Sequence, residues 1–494
     1  MSLSETPLSS QPLCLEDRPI KPLPSDRLER IEAWGMNTSV LAYVFRPSTL
    51  EGVREVFALA RQHGRKVCLR GMGRSYGDAA LLAENICLDL TRMNRILDWN
   101  PHTGRITVEP GATIGDIWRY AIEDGWWPPV VSGTMYVSLG GGAAMNIHGK
   151  NNWKVGPIGE HILEFDLLLP TGEIVTCSPE RNSELFYAAI GGFGMLGCFT
   201  RLTLQLKRVY SGLLEVDAFS TQNFEDIVEQ FERRMDSYDY LVGWIDCFAT
   251  GRQLGRGLVH AARYLAPGED PVPAQTLRVE YQELPDTLMG FIPKSIMWRL
   301  MRPFANNLGM RFVNWAKFTA GNTIGNHKRV RQSHAAFAFL LDYVPNWKWA
   351  YKPGCLIQYQ SFIPAEQAER CFSAQLTLCQ QTGIVPWLGV FKRHRRDRFL
   401  MTHSVDGYSL ALDIPVYPHT RERVWALAKQ LNRLVLEAGG RFYFAKDSTL
   451  DPHTARAYLG EETIARFAKL KKECDPEGLL QSALSQRLFP TLYE

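Results

Sequence analysis

Two glycine-rich segments, close together in the chain, constrain this sequence more than any other feature. The first, Arg70-Gly-Met-Gly-Arg-Ser-Tyr-Gly-Asp78, directly follows the strand-like run Lys66-Val-Cys-Leu69. Gly71, Gly73 and Gly77 free the backbone for φ > 0, which turns N–H groups inward and predicts an anion-binding concavity. The second runs from Ser132-Gly-Thr134 through Ser138 to Gly140-Gly-Gly142 and leads into Asn146-Ile-His-Gly-Lys-Asn151. A ligand held by these glycines lies beside the imidazole of His148 and the ammonium of Lys150. One glycine-rich loop is usually a plain turn. Two of them, each followed by polar residues able to do chemistry, predict a site for a phosphate-bearing ligand.

A third glycine motif, Gly192-Phe-Gly-Met-Leu-Gly197, fits the G-x-G-x-x-G pattern of a dinucleotide turn. Its surroundings are reversed, with a helical segment (183–190) before it and an alternating strand (199–206) after it. A Rossmann turn needs the strand first and the helix second, so a nicotinamide site is rejected here, although Gly194 and its neighbours can still approach a bound cofactor.

The rest of the chain limits the fold and the partners. At 494 residues, two domains are expected. A net charge of +3 is too small for a nucleic-acid binder. Ten scattered cysteines without C-x-x-C or metal spacing predict buried thiols in a reducing compartment and no metal site. No apolar signal region opens the chain and no run approaches about 18 apolar residues, which predicts a cytoplasmic protein that does not span a membrane.

Residues 1–25 are rich in Pro and Ser and predict a poorly ordered tail. Strands are expected at 40–46, 66–70, 85–90 and 105–109. Ser48-Thr-Leu-Glu51 reads as a capping box for a helix ending near Gly64, and Thr113 opens another ending at Gly125. Pro170-Thr-Gly172 separates two strands of a hairpin. Beyond Lys207, strand-like stretches (241–248, 356–362, 408–414) alternate with helix-like ones (224–235, 365–381, 421–438) and predict a separate substrate domain. A strand follows at 441–445, and Asp475-Pro476 reads as the N-cap and first position of a last helix. The mixture of hairpins and helices gives an α+β class rather than a βαβ repeat.

The order of strand, RGxGxSYGD, paired β-segments, SGT-x-x-x-x-LGGG and IHGKN resembles the FAD-binding domain of the vanillyl-alcohol-oxidase (PCMH-type) flavoproteins. Within that superfamily it is similar to the polyprenyl-phosphoryl-pentose oxidases of cell-wall precursor synthesis. The likeness returns at Gln358-Tyr-Gln360, Phe391-Lys-Arg393, Leu412-Asp-Ile-Pro415 and Gly440-Arg-Phe-Tyr-Phe-Ala-Lys-Asp-Ser448. It implies a two-domain PCMH-type fold with an FAD-binding domain over residues 26–210, a substrate domain on an antiparallel sheet over 211–440, and a return to the FAD domain over 441–494. FAD would be held by Arg70, Gly71, Met72, Gly73, Arg74, Ser75, Tyr76 and Gly77, by Ser132, Gly133, Thr134, Ser138, Gly140 and Gly141, and by Asn146, His148, Gly149, Gly194 and Tyr443. Many members carry a flavin-linking histidine in the first loop. Arg74 stands there in this chain, which implies non-covalent FAD.

The resemblance also assigns chemistry. Lys446 matches the essential lysine, and desolvation on an apolar-aromatic strand would favour its neutral amine. His148, Tyr76, Gln360 and Tyr443 complete the expected catalytic set, with Lys150, Lys392, Gln358 and Ser409 as substrate contacts. The implied reaction is oxidation of a secondary sugar hydroxyl to a ketone by hydride transfer to flavin N5. The alternatives are an alditol or aldonolactone oxidase, a sterol-type alkene reductase, or a flavin-binding scaffold without turnover. A partner reductase is a further expectation.

One stretch remains outside this pattern. Residues 287–341 contain no Asp or Glu, yet carry eight Lys and Arg interleaved with aromatic and Met residues. Such a segment predicts either a helix pair joined to the core of the substrate domain or a peripheral contact with anionic lipid.

Overall fold

The computed structural model describes residues 23–288 and 290–493. The tail expected over residues 1–25 falls outside the described residues, except for its last three. The class is α+β, with three sheets of four or more strands.

The first sheet has the order Leu28–Glu32, Ser39–Phe45, Ile86–Asp89, Val67–Arg70. Its first pair is antiparallel and the others are parallel. Parallel pairing requires a crossover, which the helix Leu50–Gln62 supplies with Val53, Val56, Phe57 and Ala60 buried. The helix starts differently from the Ser48/Glu51 box expected. Thr49 is the cap, its hydroxyl accepting from the Gly52 N–H at 3.1 Å, while Glu51 pairs with Arg54. Val67–Arg70 delivers the first glycine loop at its C-terminal end.

The second sheet is antiparallel throughout, in the order Ile96–Asn100, Arg105–Val108, Cys198–Gln205, Ile162–Leu168, Ile174–Cys177. Its last pair is the hairpin around Pro170-Thr-Gly172. The helix Ser183–Ala189 precedes the Gly192–Gly197 motif and Cys198–Gln205 follows it, so the order is indeed the reverse of a Rossmann turn.

The third sheet has eight strands in the order Lys328–Ser333, Leu213–Thr221, Gly257–Tyr264, Tyr240–Ile245, Leu388–His394, Gly407–Val416, Cys355–Pro364, Arg441–Phe442, all antiparallel. The helices Phe224–Arg234, Ala365–Gln381 and Arg421–Glu437 pack on one face. Phe391, for example, meets Phe231 and Phe372, and the Tyr359 hydroxyl reaches Asn432 at 3.0 Å. Because successive side chains alternate between faces, residues 358, 360, 390, 392, 411 and 413 point the other way, into a cavity.

The C-terminal segment differs from the sequence expectation in two places. The strand expected over 441–445 stops at Phe442, and Tyr443–Asp447 is a turn in which the Tyr443 carbonyl accepts from the Lys446 and Asp447 N–H groups at 3.0 Å. Asp475 does not cap the last helix. It closes the helix Glu461–Cys474, while Ser482 caps Ala483–Leu488. The Asp475 carboxylate is completely buried and accepts from Lys471 Nζ at 2.6 Å and from the Leu479 and Leu480 N–H groups at 2.8 Å. Those two residues bring the chain beside Val67, whose N–H donates to the Leu479 carbonyl at 2.8 Å.

Removing one partner of a buried, hydrogen-bonded ion pair is strongly destabilising. Asp475→Ala is expected to lower unfolding free energy by about 3–5 kcal/mol, read as a lower denaturant midpoint in chemical unfolding.

Candidate functional site

A cavity of about 650 Å³ lies between the two glycine segments and the open face of the eight-stranded sheet. Its lining includes Arg70, Gly71, Met72, Gly73, Arg74, Ser75 and Tyr76 of the first loop and Ser132, Gly133, Thr134, Ser138, Gly140 and Gly141 of the second segment. His148, Lys150, Gly194, Gln358, Gln360, Lys392, Tyr443 and Lys446 line it too. Residues more than 350 positions apart in sequence thus share one space.

The two glycine segments meet edge to edge. A Cβ on Gly71 would lie 2.2 Å from Ser138 Oγ, so the approach requires glycine. The Met72 N–H reaches the same hydroxyl at 3.4 Å, whereas the N–H groups of Gly73, Arg74 and Ser75 have no partner among the described residues. Of the first-loop glycines only Gly73 adopts φ > 0. Gly77 is glycine for a different reason, since a Cβ there would sit 1.8 Å from the Asp447 carbonyl oxygen. The second segment is not a loop over its whole length: Gly140-Gly-Gly142 lies within the short helix Leu139–Ala144.

Four expected contacts do not reach the cavity. Gly77 packs on the Lys446-Asp447 turn. Asn146 is buried, its side-chain oxygen accepting from the Gly159 N–H at 3.0 Å. A Cβ on Gly149 would meet the Asn151 side chain at 2.5 Å. Ser409 stands behind Gln360, held by Gln360 Nε2 at 3.2 Å and His394 Nε2 at 2.8 Å. These positions shape the site from outside. Lys150 lines the cavity, but its ammonium donates to the carbonyls of Phe337 and Ala338. It therefore fastens the segment after Ser333 over the site rather than offering a free cation.

The polar groups at the sheet face are tightly linked. His148 is buried, and Gln360 Nε2 lies 3.3 Å from its Nε2. Since an amide NH₂ donates, Nε2 accepts and Nδ1 carries the ring proton, a donor with no partner among the described residues. Burial, with Lys392 and His394 nearby, holds the imidazole well below the usual histidine range, so it is neutral. Lys446 Nζ sits 3.8 Å from the centroid of the Tyr76 ring. Burial pulls its ammonium down from the ordinary lysine range, and the buried carboxylate of Asp413 resists that shift. Asp413 is in turn pushed up by burial, with Gln358 Nε2 donating to it at 2.5 Å and Lys446 opposing the shift. Four buried polar atoms of cavity-lining residues, Tyr76 OH, His148 Nδ1, Trp347 Nε1 and Asp413 Oδ2, have no partner among the described residues.

Sequence reasoning missed several of these residues. Asp413 had a visible signal, an acid inside an apolar strand, where a charge needs a partner. Asp342 had none. Its carboxylate accepts from Thr134 Oγ1 at 2.7 Å and the Met135 N–H at 2.8 Å, fixing the second segment from far along the chain. Arg487 is equally silent, yet it donates to Asp78 at 2.7 Å and to Asp447 at 2.9 Å.

These features suit FAD. The close Gly71–Ser138 approach and the unpaired loop N–H groups offer a cradle for a diphosphate. Arg74 is stacked between Trp34 and Tyr136, its guanidinium carbon 4.3 and 5.3 Å from their ring centroids, and a guanidinium there forms no covalent link to a flavin. Acid precipitation of the holoprotein is expected to release all the FAD into the supernatant; yellow colour in the pellet would show a covalent bond.

Comparison with known proteins agrees with this geometry. Residues 41–178 match the FAD binding domain family. Over 93% of this chain and 97% of the relative, the sequence is 28% identical to a decaprenylphosphoryl-beta-D-ribose oxidase of Mycolicibacterium smegmatis. It is 24% identical to a putative D-arabinono-1,4-lactone oxidase of Neurospora crassa over 90% of this chain and 83% of that one. An L-gulonolactone oxidase of Bos taurus is 32% identical over 33% of this chain and 36% of its own. The chain carries a PCMH-type FAD-binding domain and is an FAD-dependent oxidoreductase.

Proposed function

We propose that this enzyme oxidises a secondary hydroxyl of a sugar to a ketone, and that the sugar is a polyprenyl-phosphoryl pentose. The observation that carries the reading is that buried Lys446 and Asp413, each opposing the shift that burial imposes on the other, line the same cavity as neutral His148 and Gln360. Bound FAD supplies the hydride acceptor. Lys446, as the neutral amine that burial favours, takes the proton of the substrate hydroxyl. His148 Nδ1–H and the Tyr76 hydroxyl orient the sugar oxygens, and Gln360 holds the imidazole in the donating tautomer. The walls of Tyr443 and Ala445, with Met145 packed against them, keep water from the reacting carbon. In this reading residues 26–210 with 441–494 serve the cofactor and 211–440 the substrate.

The decaprenylphosphoryl-ribose oxidase relative supports the substrate because it aligns along nearly the whole chain. The lactone oxidase relative, aligned over 90%, supports the second reading, an alditol or aldonolactone oxidase. Anaerobic addition of a polyprenyl-phosphoryl ribose is expected to bleach the flavin, with alditols and aldonolactones leaving it yellow; the reverse pattern would select the second reading. Lys446→Ala should keep FAD bound while slowing bleaching at least about 10²-fold. The active lysine is the neutral amine, so bleaching should accelerate as pH rises through its titration and fade as pH falls.

A membrane role belongs to the same proposal. Of the nineteen large apolar side chains exposed among the described residues, ten lie between Phe291 and Leu340, so the exposure is concentrated and not scattered. Leu308, Phe312 and Trp315, 79%, 56% and 53% exposed, fall at i, i+4 and i+7 on the helix Asn307–Thr323 and form one stripe. Lys294 and Arg329 are paired with Asp286 and Asp217, but Arg299, Arg302 and Arg311 have no carboxylate partner among the described residues. Trp298 packs edge-on against Trp349 at 5.4 Å and is a poorer anchor than its sequence neighbours suggest. Among the described residues no helix is long and apolar enough to cross a membrane. We expect the protein to float with phosphatidylglycerol vesicles at low salt, less so at high salt. Phe312→Ser with Trp315→Ser, or Arg299→Glu, should weaken flotation without changing flavin absorbance; absence of flotation at low salt would remove the membrane role.

A further inference from the structure

The wall of the cavity contains eight Lys and Arg side chains but three carboxylates. All three carboxylates are engaged: Glu283 with Arg119 at 2.6 Å, Asp342 with the second glycine segment, and Asp413 with Gln358. The cofactor diphosphate offsets only part of this excess, and it belongs at the glycine end.

The remaining positive charge has a definite place. On the sheet face, Val242 and Trp244 of one strand lie opposite His260 and Val390 of its two neighbours, with Lys392 two residues beyond Val390. Above them runs the helix Asn307–Thr323. At 3.6 residues per turn, Lys317 lies on the side opposite the exposed stripe of Leu308, Phe312 and Trp315. Its ammonium rests 4.4 Å from the Trp244 ring centroid. An indole face attracts the charge but leaves its N–H donors unpaired. Lys317 makes no salt bridge among the described residues, is reached by solvent from the cavity, and is ringed by protein that pushes it down to about 8. Lys392 is likewise without a carboxylate partner, and burial pushes it to about 8. Burial and Lys317 together push His260 down to about 4, so this imidazole is neutral and can donate or accept. Two cations without carboxylate partners among the described residues line this side of the cavity, with a neutral histidine and a tryptophan face, and are suited to receive an anion.

We propose that Lys317 and Lys392, with Trp244 and His260, form a subsite for the phosphoryl group of the substrate, separate from the cofactor's diphosphate cradle. The inference rests on the sugar-oxidation reading and names the part of the substrate that fixes its position. Two phosphates have this chemistry, one esterified to a lipid and one on a free sugar. Placed on the same helix as the exposed apolar stripe but on its other side, Lys317 holds a phosphate just inside the surface that meets lipid.

Calorimetric titration of the holoenzyme with farnesyl phosphate, inorganic phosphate and farnesol tests it. Both phosphates should bind about tenfold or more weakly to Lys317→Gln, the loss of a hydrogen bond to a charged group, and Lys317→Arg should restore most of the affinity. Farnesol binding should be the same in all three proteins. Farnesyl phosphate binding tighter than inorganic phosphate supports the lipid ester, and equal affinities support the free sugar phosphate. Unchanged phosphate binding in Lys317→Gln, with flavin absorbance and unfolding midpoint as in the parent, overturns the proposal, as does an equal loss for farnesol. Flavin bleaching is a separate readout: Lys317-dependent phosphate binding without bleaching by any glycosyl phosphate would retain the subsite and remove the sugar-oxidation reading.

Discussion

Arg487 ties together the parts of the chain on which the site depends. Its guanidinium bridges Asp78, the last residue of the first glycine loop, and Asp447, the neighbour of Lys446. Burial opposes its charge, but Asp447 and Asp78 outweigh burial and hold it above the ordinary arginine range. Around this bridge the backbones lock as well. The Tyr76 N–H donates to the Ala445 carbonyl at 2.8 Å, and Gly77 lets the Asp447 carbonyl come closer than any Cβ allows. The first glycine loop and Lys446 are therefore parts of one rigid unit. Positioning of this kind gives a reaction its proximity advantage without motion at the moment of chemistry.

The eight-stranded sheet supplies the opposite wall through the simplest property of a strand. Its helix-facing positions are aromatic and aliphatic, while Gln358, Gln360, Lys392 and Asp413 alternate with them toward the cavity. The polar face is costly to bury unless its groups satisfy one another or a ligand. Most do, through Gln358–Asp413, Gln360–His148 and the Ser409–His394 contact behind them. The same desolvation lowers the proton affinity of Lys446 and raises that of Asp413.

The acid-free stretch has two roles that its composition alone does not separate. Lys294 and Lys317 point into the cavity, and Arg299, Arg302 and Arg311 remain outside. Immediately after it, the Leu341 N–H donates to the Gly133 carbonyl at 3.1 Å and Asp342 clasps Thr134 and Met135. A segment that meets the surroundings at one end thus holds the second glycine segment at the other.

Local chemistry was legible in the chain itself. Glycine spacing marked the cradle, the reversed order around Gly192–Gly197 excluded a Rossmann turn, and alternation marked the strands, because close backbone approach and side-chain period are properties of neighbouring residues. Misreadings occurred where a local rule had competitors. Ser48 and Thr49 both suit a cap and backbone geometry chose Thr49. Asp475-Pro476 suits a helix start, but a buried lysine one turn earlier claimed the carboxylate. The aromatic run to Ala445 suits a strand, but sheet pairing ended at Phe442. What only the tertiary structure decided is which distant residues meet: Asp413 with Gln358, Asp342 with Thr134, Arg487 with Asp78, Lys317 with Trp244. These are charge, cation–π and hydrogen-bond pairings across tens to hundreds of residues, set by how the sheets and the returning C-terminal segment pack, and no periodicity in the sequence records them.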